Sequence, residues 1–282
     1  MASSHTLVLS CPDRPGIVHA VTGAILAGDG NILESRQFDD RETGRFFLRI
    51  VLEAQDGDAI EAAMAPLADE FAMDWKLVPA ECRVKTVILV SKFDHCLGYL
   101  LYKARMGELP MDIVAIASNH PASALTVSTI GDIPFHHLPI TKDTKPEQEA
   151  RIKALVDETG AELVILARYM QILSDDLAAF LSGRCINIHH SFLPSFKGAK
   201  PYHQAHARGV KMIGATAHYV TADLDEGPII HQATEMVTHE DSPEDLVRKG
   251  REIESRVLGK AVSWHLTNRV FLNGAKSIVF GT

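Results

Sequence analysis

Cysteine is scarce in this sequence, and its spacing is uninformative for chemistry. Only Cys11, Cys82, Cys96 and Cys185 occur among the 282 residues, and no two of them form a Cys-x-x-Cys pair. Paired spacing is typical of zinc and redox-active sites. Scattered cysteines favour reduced thiols in a cytoplasmic protein instead.

Long apolar runs, a secretion signal and excess positive charge are also lacking. No apolar run approaches the ~18 residues of a membrane-spanning helix. Residues 1–5 lead directly into a strand-like run, without the basic region and apolar core of a signal peptide. The formal net charge of -8 opposes broad contact with nucleic-acid phosphates. We therefore expect a cytoplasmic protein that binds neither membrane nor nucleic acid.

Length and composition predict two packed domains. The hydrophobic share of 46% is ordinary for a globular protein. At ~100–200 residues per domain, the length suits one large or two modest domains. We predict a first domain over residues 4–79, a short linker over 80–83 and a second domain over 84–282.

The first domain has a mixed strand and helix pattern. Asp13 and Pro15 are well placed to begin the first helix. The alternating and helical spacings predict strands over 5–11, 32–38, 45–53 and 73–78, with helices over 17–27 and 59–71. The order β-α-β-β-α-β is the ferredoxin-like arrangement.

The turn Asp13-Arg14-Pro15-Gly16-Ile17-Val18, with Asn31-Ile32 after the helix, resembles the ACT domain family. The resemblance implies self-association, as a homodimer or homotetramer, and an amino-acid effector at the shared edge. It makes Asp13, Gly16 and Asn31 candidate effector-binding residues. The alternative is that this turn only caps a helix.

The second domain alternates between strand-like and helix-like segments. Strands are predicted over 84–90, 111–117, 134–138, 163–166 and 185–189, with a helix over 147–158. This alternation predicts an α/β fold with an open, mostly parallel, Rossmann-like sheet. A strand pair over 212–220 and 229–237 and a long helix over 243–265 follow. Ligands bind such sheets beyond the carboxyl ends of the strands.

Polar side chains gather at the end of the strand over 185–189. Asn187 and His189 occupy alternate positions, so both side chains leave the same side of the strand. Both can donate hydrogen bonds to a developing oxyanion. Asp225 adds a carboxylate at a Gly-Pro turn. Together they predict an acyl-transfer site.

The pattern Asn-x-His-x-Ser-x-Leu-Pro-x-Phe-x-Gly from Asn187, followed by Asp-x-Gly-x-Ile from Asp225, resembles the folate-dependent formyltransferase family. The similarity covers roughly residues 84–280. His190 follows His189, as in the formyltetrahydrofolate deformylase members, whereas many transferring members have proline there. The resemblance implies hydrolysis of 10-formyltetrahydrofolate to formate and tetrahydrofolate, without a cofactor. It also implies formate supply for purine synthesis and a balancing of the one-carbon folate pool.

The resemblance also assigns site residues. It implies catalytic roles for Asn187, His189 and Asp225. The segment over 166–173 is similar to the part of the family that shapes the pterin pocket, although burial for packing is the alternative. The implied substrate-binding residues are Arg168, Tyr169, Met170, Ile172, Leu173, Asp223 and Gly227.

The chemistry of a formyl amide fits the three catalytic candidates. Attack at the formyl carbon creates an oxyanion and frees an amine that needs a proton. Asn187 can donate to the oxyanion, and a charged His189 can donate to the same oxygen or to the nitrogen. Asp225 would favour the charged imidazole and orient the attacking water.

The loop after the first strand of the second domain favours water as the acceptor. Transfer to a phosphorylated amine would need a glycine-rich turn that offers backbone donors to the phosphate. Residues 90–98 lack it, and Phe93 and Asp94 would block and repel a phosphate, although Lys92 could attract one. His95 is a secondary candidate at the pocket mouth, with packing as the alternative.

Two other functions and one metal site stay open on the sequence. The protein could be a formyltransferase to another amine, or an ACT-controlled sensor that binds folate without catalysis. His190 could join His189 and Asp225 around a metal ion. Neighbouring strand residues point to opposite faces, however, so we predict no metal.

Overall fold

The computed structural model describes residues 2–127, 130–191 and 201–281. The chain divides into two compact units. The first comprises the residues up to Cys82 with Asn268–Phe271 and those from Ile278, and the second comprises Arg83–Thr267 with Leu272–Ser277. No helix in the described part of the chain is long and apolar enough to cross a membrane.

The first unit has the predicted βαββαβ order. Its elements form one sheet in the order β2-β3-β1-β4, in which neighbouring strands are antiparallel. This confirms the ferredoxin-like arrangement. The elements are β1 (Ser3–Pro12), α1 (Ile17–Ala27), β2 (Asn31–Asp40), β3 (Arg45–Ala54), α2 (Gly57–Phe71) and β4 (Asp74–Pro79).

The core of the first unit follows from the two periodicities. Leu7 and Leu9 lie at alternate positions of β1 and face the same side. Ile17 and Val21 lie one turn apart on α1 and pack into the same cluster, together with Ile60 of α2. One face of the sheet is therefore closed by both helices.

Helix α1 begins differently from the prediction. Gly16 is its N-cap residue, with φ of +98°, and no side chain caps the helix. The Asp13 backbone N–H donates to the Gly44 carbonyl at 2.9 Å. The prediction that Asp13 starts α1 is therefore wrong, and the positive φ explains why glycine stands at position 16. Asp13, Gly16 and Asn31 are exposed, and their effector role stays a prediction.

The second unit contains the predicted open sheet. Its strand order is β11-β10-β9-β8-β5-β6-β7. Strands β5 to β9 pair in parallel, whereas β10 is antiparallel to both β9 and β11. The elements are β5 (Val84–Val90), α3 (His95–Arg105), β6 (Met111–Ser118), β7 (Phe135–His137), α4 (Lys145–Thr159), β8 (Leu163–Leu166), α5 (Asp175–Phe180), β9 (Cys185–His189), α6 (Pro201–Ala207), β10 (Met212–Tyr219), β11 (Ile229–Met236) and α7 (Pro243–Leu266). The hairpin strands β12 (Val270–Asn273) and β13 (Lys276–Val279) follow.

Strand order reverses beside β5. After β5 the chain adds β6 and β7 on one side, and then returns to add β8 and β9 on the other. The carboxyl ends of β5 and β8 meet there, where Ser91 N–H donates to the Arg168 carbonyl at 3.3 Å. The Ser91 hydroxyl donates to Asn119 Oδ1 at 2.6 Å and accepts from Met170 N–H at 3.0 Å. Such a switch point is the usual ligand crevice of an open α/β sheet.

Helix α7 supports this end of the sheet. It begins with a capping box, in which Ser242 and Asp245 satisfy each other's backbone N–H groups. Its buried stripe packs on β9, β10 and β11 and includes Leu246, Ile253 and Val257. Three basic residues, Arg251, Arg256 and Lys260, lie exposed on the opposite face.

Candidate active site

A cavity of about 190 Å³ opens beyond the carboxyl ends of β8 and β9. The loop after β10 closes another side of it. Most of the predicted site residues line this cavity, namely Arg168, Tyr169, Met170, Ile172, Leu173, Asn187, His189, His190, Asp223 and Asp225. The part of the motif over residues 192–198 lies outside the described residues.

The three catalytic candidates converge in this cavity. His189 ends β9, and its Nδ1 lies 3.2 Å from Asp225 Oδ2. Asn187, two residues earlier on β9, faces the same cavity, as strand alternation predicts. Since an ionised carboxylate can only accept, Nδ1 of His189 carries a proton and Nε2 is left for a ligand.

Asp225 is held as an anion. Burial alone would raise its pKa, but hydrogen bonds from His189 and His218 and their charges outweigh burial and hold the pKa well below its usual range. Asp225 also has φ of +59°, a left-handed conformation that costs energy outside glycine. Arg168, which also lines the cavity, has φ of +65°. Strained backbone of this kind concentrates at functional sites.

His218 is a further polar residue of the site that the sequence did not single out. It lies on β10 directly opposite Asn187, because the antiparallel register pairs these two residues. Its Nδ1 donates to the Tyr219 carbonyl at 2.9 Å, because a carbonyl oxygen can only accept. Nε2 lies 3.2 Å from Asn187 Nδ2 and 3.6 Å from Asp225 Oδ1. Asn187 therefore turns its NH₂ group towards His218 and keeps a second N–H for a ligand.

The wall formed by the segment after β8 is apolar and open. Met170 and Ile172 are 52% and 61% exposed, large values for such side chains. Exposed apolar surface beside a few convergent polar groups is typical of a small-molecule site. Tyr169 is buried, and its hydroxyl accepts a hydrogen bond from Gln148 Nε2 at 2.9 Å. Packing is therefore the main role of Tyr169 in this wall.

Two predicted residues do not line the cavity. A Cβ atom on Gly227 would lie 1.8 Å from the Tyr219 carbonyl oxygen, so this glycine permits the close approach of the loop to β10. His95 begins α3, and its Nε2 lies 2.8 Å from Glu254 Oε2. Gly227 therefore shapes the backbone of the loop, and His95 contacts a buried residue of α7.

Comparison with known proteins gives the same fold and whole-length relatives. The formyl transferase family model matches residues 84–262 and the ACT domain model matches residues 5–69. A formyltetrahydrofolate deformylase of Corynebacterium sp. (strain P-1) is 52% identical over 279 residues, which are 98% of this chain and 97% of that protein. The chain belongs to the formyltetrahydrofolate deformylase family. Its members are enzymes, and the resemblance drawn from the sequence is confirmed.

Solved structures separate the deformylases from their transferring relatives. The formyltetrahydrofolate deformylase of Burkholderia mallei has a TM-score of 0.94 and 51% identity, and the match covers 99% of this chain and all of that one. The glycinamide ribonucleotide transformylase 1 of Symbiobacterium toebii has a TM-score of 0.64 and 28% identity. That match covers 71% of this chain and 95% of that one. The deformylase likeness thus extends over both compact units.

This deformylase family member has a buried charge network behind the cavity. Glu254 of α7, with 1% of its side chain exposed, accepts hydrogen bonds from Tyr202 Oη at 2.6 Å and His95 Nε2 at 2.8 Å. Its Oε2 lies 3.2 Å from Nε of Arg168. Tyr202 reaches this depth because Gly250 has no side chain, and a Cβ there would lie 2.1 Å from Tyr202 Cζ.

The charge of Glu254 is maintained by its neighbours. Burial alone would raise its pKa, but the hydrogen bond from His95, the charge of Arg168 and the hydrogen bond from Tyr202 hold the pKa below its ordinary value. Arg168 is 10% exposed, and among the described residues its Nε has no partner with hydrogen-bond geometry. The network therefore fixes a guanidinium at the edge of the cavity.

The same network contains the one group of three potential metal ligands found among the described residues. His95, Cys96 and Glu254 offer ligand atoms within 4.8 Å of one another. Burial and the charge of Glu254 raise the pKa of Cys96, so its thiol stays protonated. A protonated thiol is a poor metal ligand, and Arg168 already supplies the positive charge.

Two predicted orientations are wrong. His190 follows the last residue of β9, so strand alternation does not apply to it. Its ring stacks on that of His189, with centroids 4.8 Å apart and planes at 19°. Asp94 is buried and does not present its charge to a ligand. Its carboxylate accepts hydrogen bonds from Thr126 and from Val127 N–H at 2.7 Å.

Glu254 and His218 were not predicted as site residues, because their signals in the sequence are weak. Glu254 follows Ile253 and precedes Val257, so an acid interrupts an apolar stripe. Such an acid is buried only with partners. His218 lies in a strand that is buried on both faces, which hides any alternation. Its role depends on the β9–β10 register, which no local pattern gives.

The contact between Asn187 and His218 predicts a coupled loss of activity. Asn187→Ala is expected to lower kcat by about 10²–10³-fold if it removes an oxyanion donor. His218→Leu should lower kcat less, because Asn187 keeps its amide and Asp225 keeps its contact with His189. The double variant should be only slightly slower than Asn187→Ala, since His218 acts mainly through Asn187. Additive losses in this double-mutant cycle would give His218 an independent role.

Proposed function

We propose that this protein hydrolyses 10-formyltetrahydrofolate to formate and tetrahydrofolate. The observation that carries the proposal is the His189–Asp225 pair beside the fixed amide of Asn187, on the polar side of an apolar cavity. A formyl group on an aromatic amine needs that combination of polar donors and apolar wall. Relatives matched over the whole chain are named for the deformylation of formyltetrahydrofolate.

The three residues divide the reaction between them. As water attacks the formyl carbon, the carbonyl oxygen becomes an oxyanion that accepts from the second N–H of Asn187 and from Nε2–H of charged His189. Collapse of the intermediate breaks the bond between carbon and N10, and His189 gives its proton to that nitrogen. Asp225 stabilises the charged ring through Nδ1 and fixes its orientation.

The loop between β5 and α3 supports water over a phosphorylated amine as the acceptor. A helix N-terminus is a common phosphate site because its free N–H groups attract anions. Asp94 is the N-cap residue of α3, but its carboxylate accepts hydrogen bonds from Thr126 and Val127 N–H and makes no cap bond to the helix. Residues 91–97 contain no glycine, so the loop lacks the glycine-rich turn that would offer backbone donors to an acceptor phosphate.

Hydrolysis of a formyl amide requires no added group. No atom changes its oxidation state overall, so a redox cofactor has no part. A charged imidazole can stabilise the oxyanion in place of a metal ion. We therefore propose catalysis by side chains alone.

The setting of the reaction is proposed from the family. We propose that the formate feeds purine synthesis and that turnover balances the one-carbon folate pool. Self-association as a homodimer or homotetramer and an amino-acid effector are proposed on the basis of the ACT domain. The four cysteines are free, which supports a cytoplasmic location.

The test is a formate assay on purified protein with 10-formyltetrahydrofolate and no amine. Formate and tetrahydrofolate should appear in equal amounts. Adding glycinamide ribonucleotide should neither raise the rate nor yield formylated product. A requirement for an amine would favour the transferase alternative, and binding without turnover would favour a sensor.

A further inference from the structure

His190 lies in the cavity with no hydrogen-bonding partner among the described residues. It follows β9, lines the cavity and stacks on the ring of His189. Its ring makes no hydrogen bond to any residue in the described part of the chain. Its nitrogens are therefore available to a water or a ligand within the cavity.

The charges around His190 keep its ring neutral. Burial, the charge of Arg168 and the charge of His189 lower the pKa of His190 to about 4, against smaller opposing effects of Glu254 and Asp225. At neutral pH the ring therefore carries a free lone pair. Arg168 stays in place because Glu254 lies 3.2 Å from its Nε.

Both carboxylate oxygens of Asp225 already face histidine rings. One of its oxygens lies 3.2 Å from His189 Nδ1, and the other lies 3.6 Å from His218 Nε2. These neighbours hold the pKa of Asp225 below its usual range, despite burial. His189 must begin charged to act as the acid. His190 has both a free lone pair and a position open to the cavity.

We propose that His190, stacked on His189 within the cavity, is the general base that removes a proton from the attacking water. The inference rests on the proposed hydrolysis. It adds a base that the three residues Asn187, His189 and Asp225 do not supply. Catalysis of transfer to water needs such a base, because water is a poor nucleophile until it loses a proton.

Each proton and electron pair of this hydrolysis has a donor and an acceptor. As the water oxygen bonds to the formyl carbon, one water proton moves to His190 and the carbonyl π pair moves to the oxyanion. The carbon–N10 bond then breaks, its electron pair stays on nitrogen, and the proton of His189 joins it. The carbonyl re-forms as formic acid. His190 then loses its proton to solvent, His189 takes one up from solvent, and formic acid loses its proton to solvent.

The test compares two nucleophiles on one variant. Hydroxylamine attacks through a nitrogen lone pair and needs no base beforehand, whereas water does. In His190→Asn, kcat for formate release should fall by about 10²–10⁴-fold. Formyl transfer to hydroxylamine should fall by less than about tenfold in the same variant, because the donors to the oxyanion remain. Formate and N-formylhydroxylamine are measured separately, with KM for the folate.

Controls separate the possible failures. His239→Asn changes an exposed histidine of the same unit and should alter neither reaction. Equal losses with water and hydroxylamine would give His190 a structural role and overturn the inference, as would unchanged hydrolysis. If His190→Asn does not fold, the same comparison of hydrolysis with transfer to hydroxylamine is made on His190→Gln. Absence of formate release by the unaltered protein would instead remove the proposed function.

Discussion

His189→Ala is expected to lower kcat for formate release by about 10⁴-fold or more, because it removes both an acid and an oxyanion donor. Nε2 of His189 is the donor aimed at the ligand, since Nδ1 faces Asp225 at 3.2 Å. Folate binding should change little, because the imidazole acts mainly on charge that develops in the transition state. The measurements are single-turnover formate release and equilibrium binding of a folate that lacks the formyl group.

His239→Ala is the matched control for this loss. It removes an exposed imidazole from the turn between β11 and α7 and should leave both quantities unchanged. A near-normal rate in His189→Ala would exclude the catalytic role of His189. A parallel loss of binding and rate would make His189 a binding residue.

Glu254→Gln is expected to lower the free energy of unfolding by about 3–5 kcal/mol, because it leaves Arg168 buried without a counter-charge. Glu254 is 1% exposed and Arg168 is 10% exposed, so solvent cannot replace the lost partner. For a unit of this size the loss corresponds to a fall in Tm of roughly 6–20 °C. Thermal unfolding followed by circular dichroism measures it.

Glu252→Gln is the control on the same helix. Glu252 is exposed, and its ion pair with Arg248 should contribute little to stability. The difference between Glu254→Gln and the unaltered protein should also depend on pH. Because the folded-state pKa of Glu254 lies below its ordinary value, the carboxylate stabilises the fold above that ordinary value, and the effect is lost as pH falls through the folded pKa. A constant difference down to low pH would contradict this account.

Buried parallel strands were the part of the fold that the sequence specified most closely. The observed bounds of β5, β8 and β9 equal the predicted ones, because each is a short apolar run that ends at polar or turn residues. Helix α3 was not predicted, since Gly98 and two tyrosines weaken its helical pattern. Short elements such as α5 and β12 offer too few residues for a period to emerge.

Site residues that lie on one strand were predictable from the sequence. Site residues contributed by other strands and helices were not. Asn187 and His189 follow from alternation on β9 alone. His218 and Glu254 come from β10 and α7, and their approach depends on sheet register and helix packing. The stacking of His190 on His189 depends on where β9 ends, to within one residue.

The reversed strand order around β5 has a consequence for synthesis on the ribosome. Thr86 of β5 pairs with Leu163 of β8, 77 positions later, and Glu254 emerges later still. Long sequence separations make such pairings slow, because chain entropy is lost before the contacts form. The nascent chain therefore carries an unpaired edge of β5 until β8 has been made, and the buried charge network behind the cavity can be completed only after Glu254, midway along α7, has left the exit tunnel.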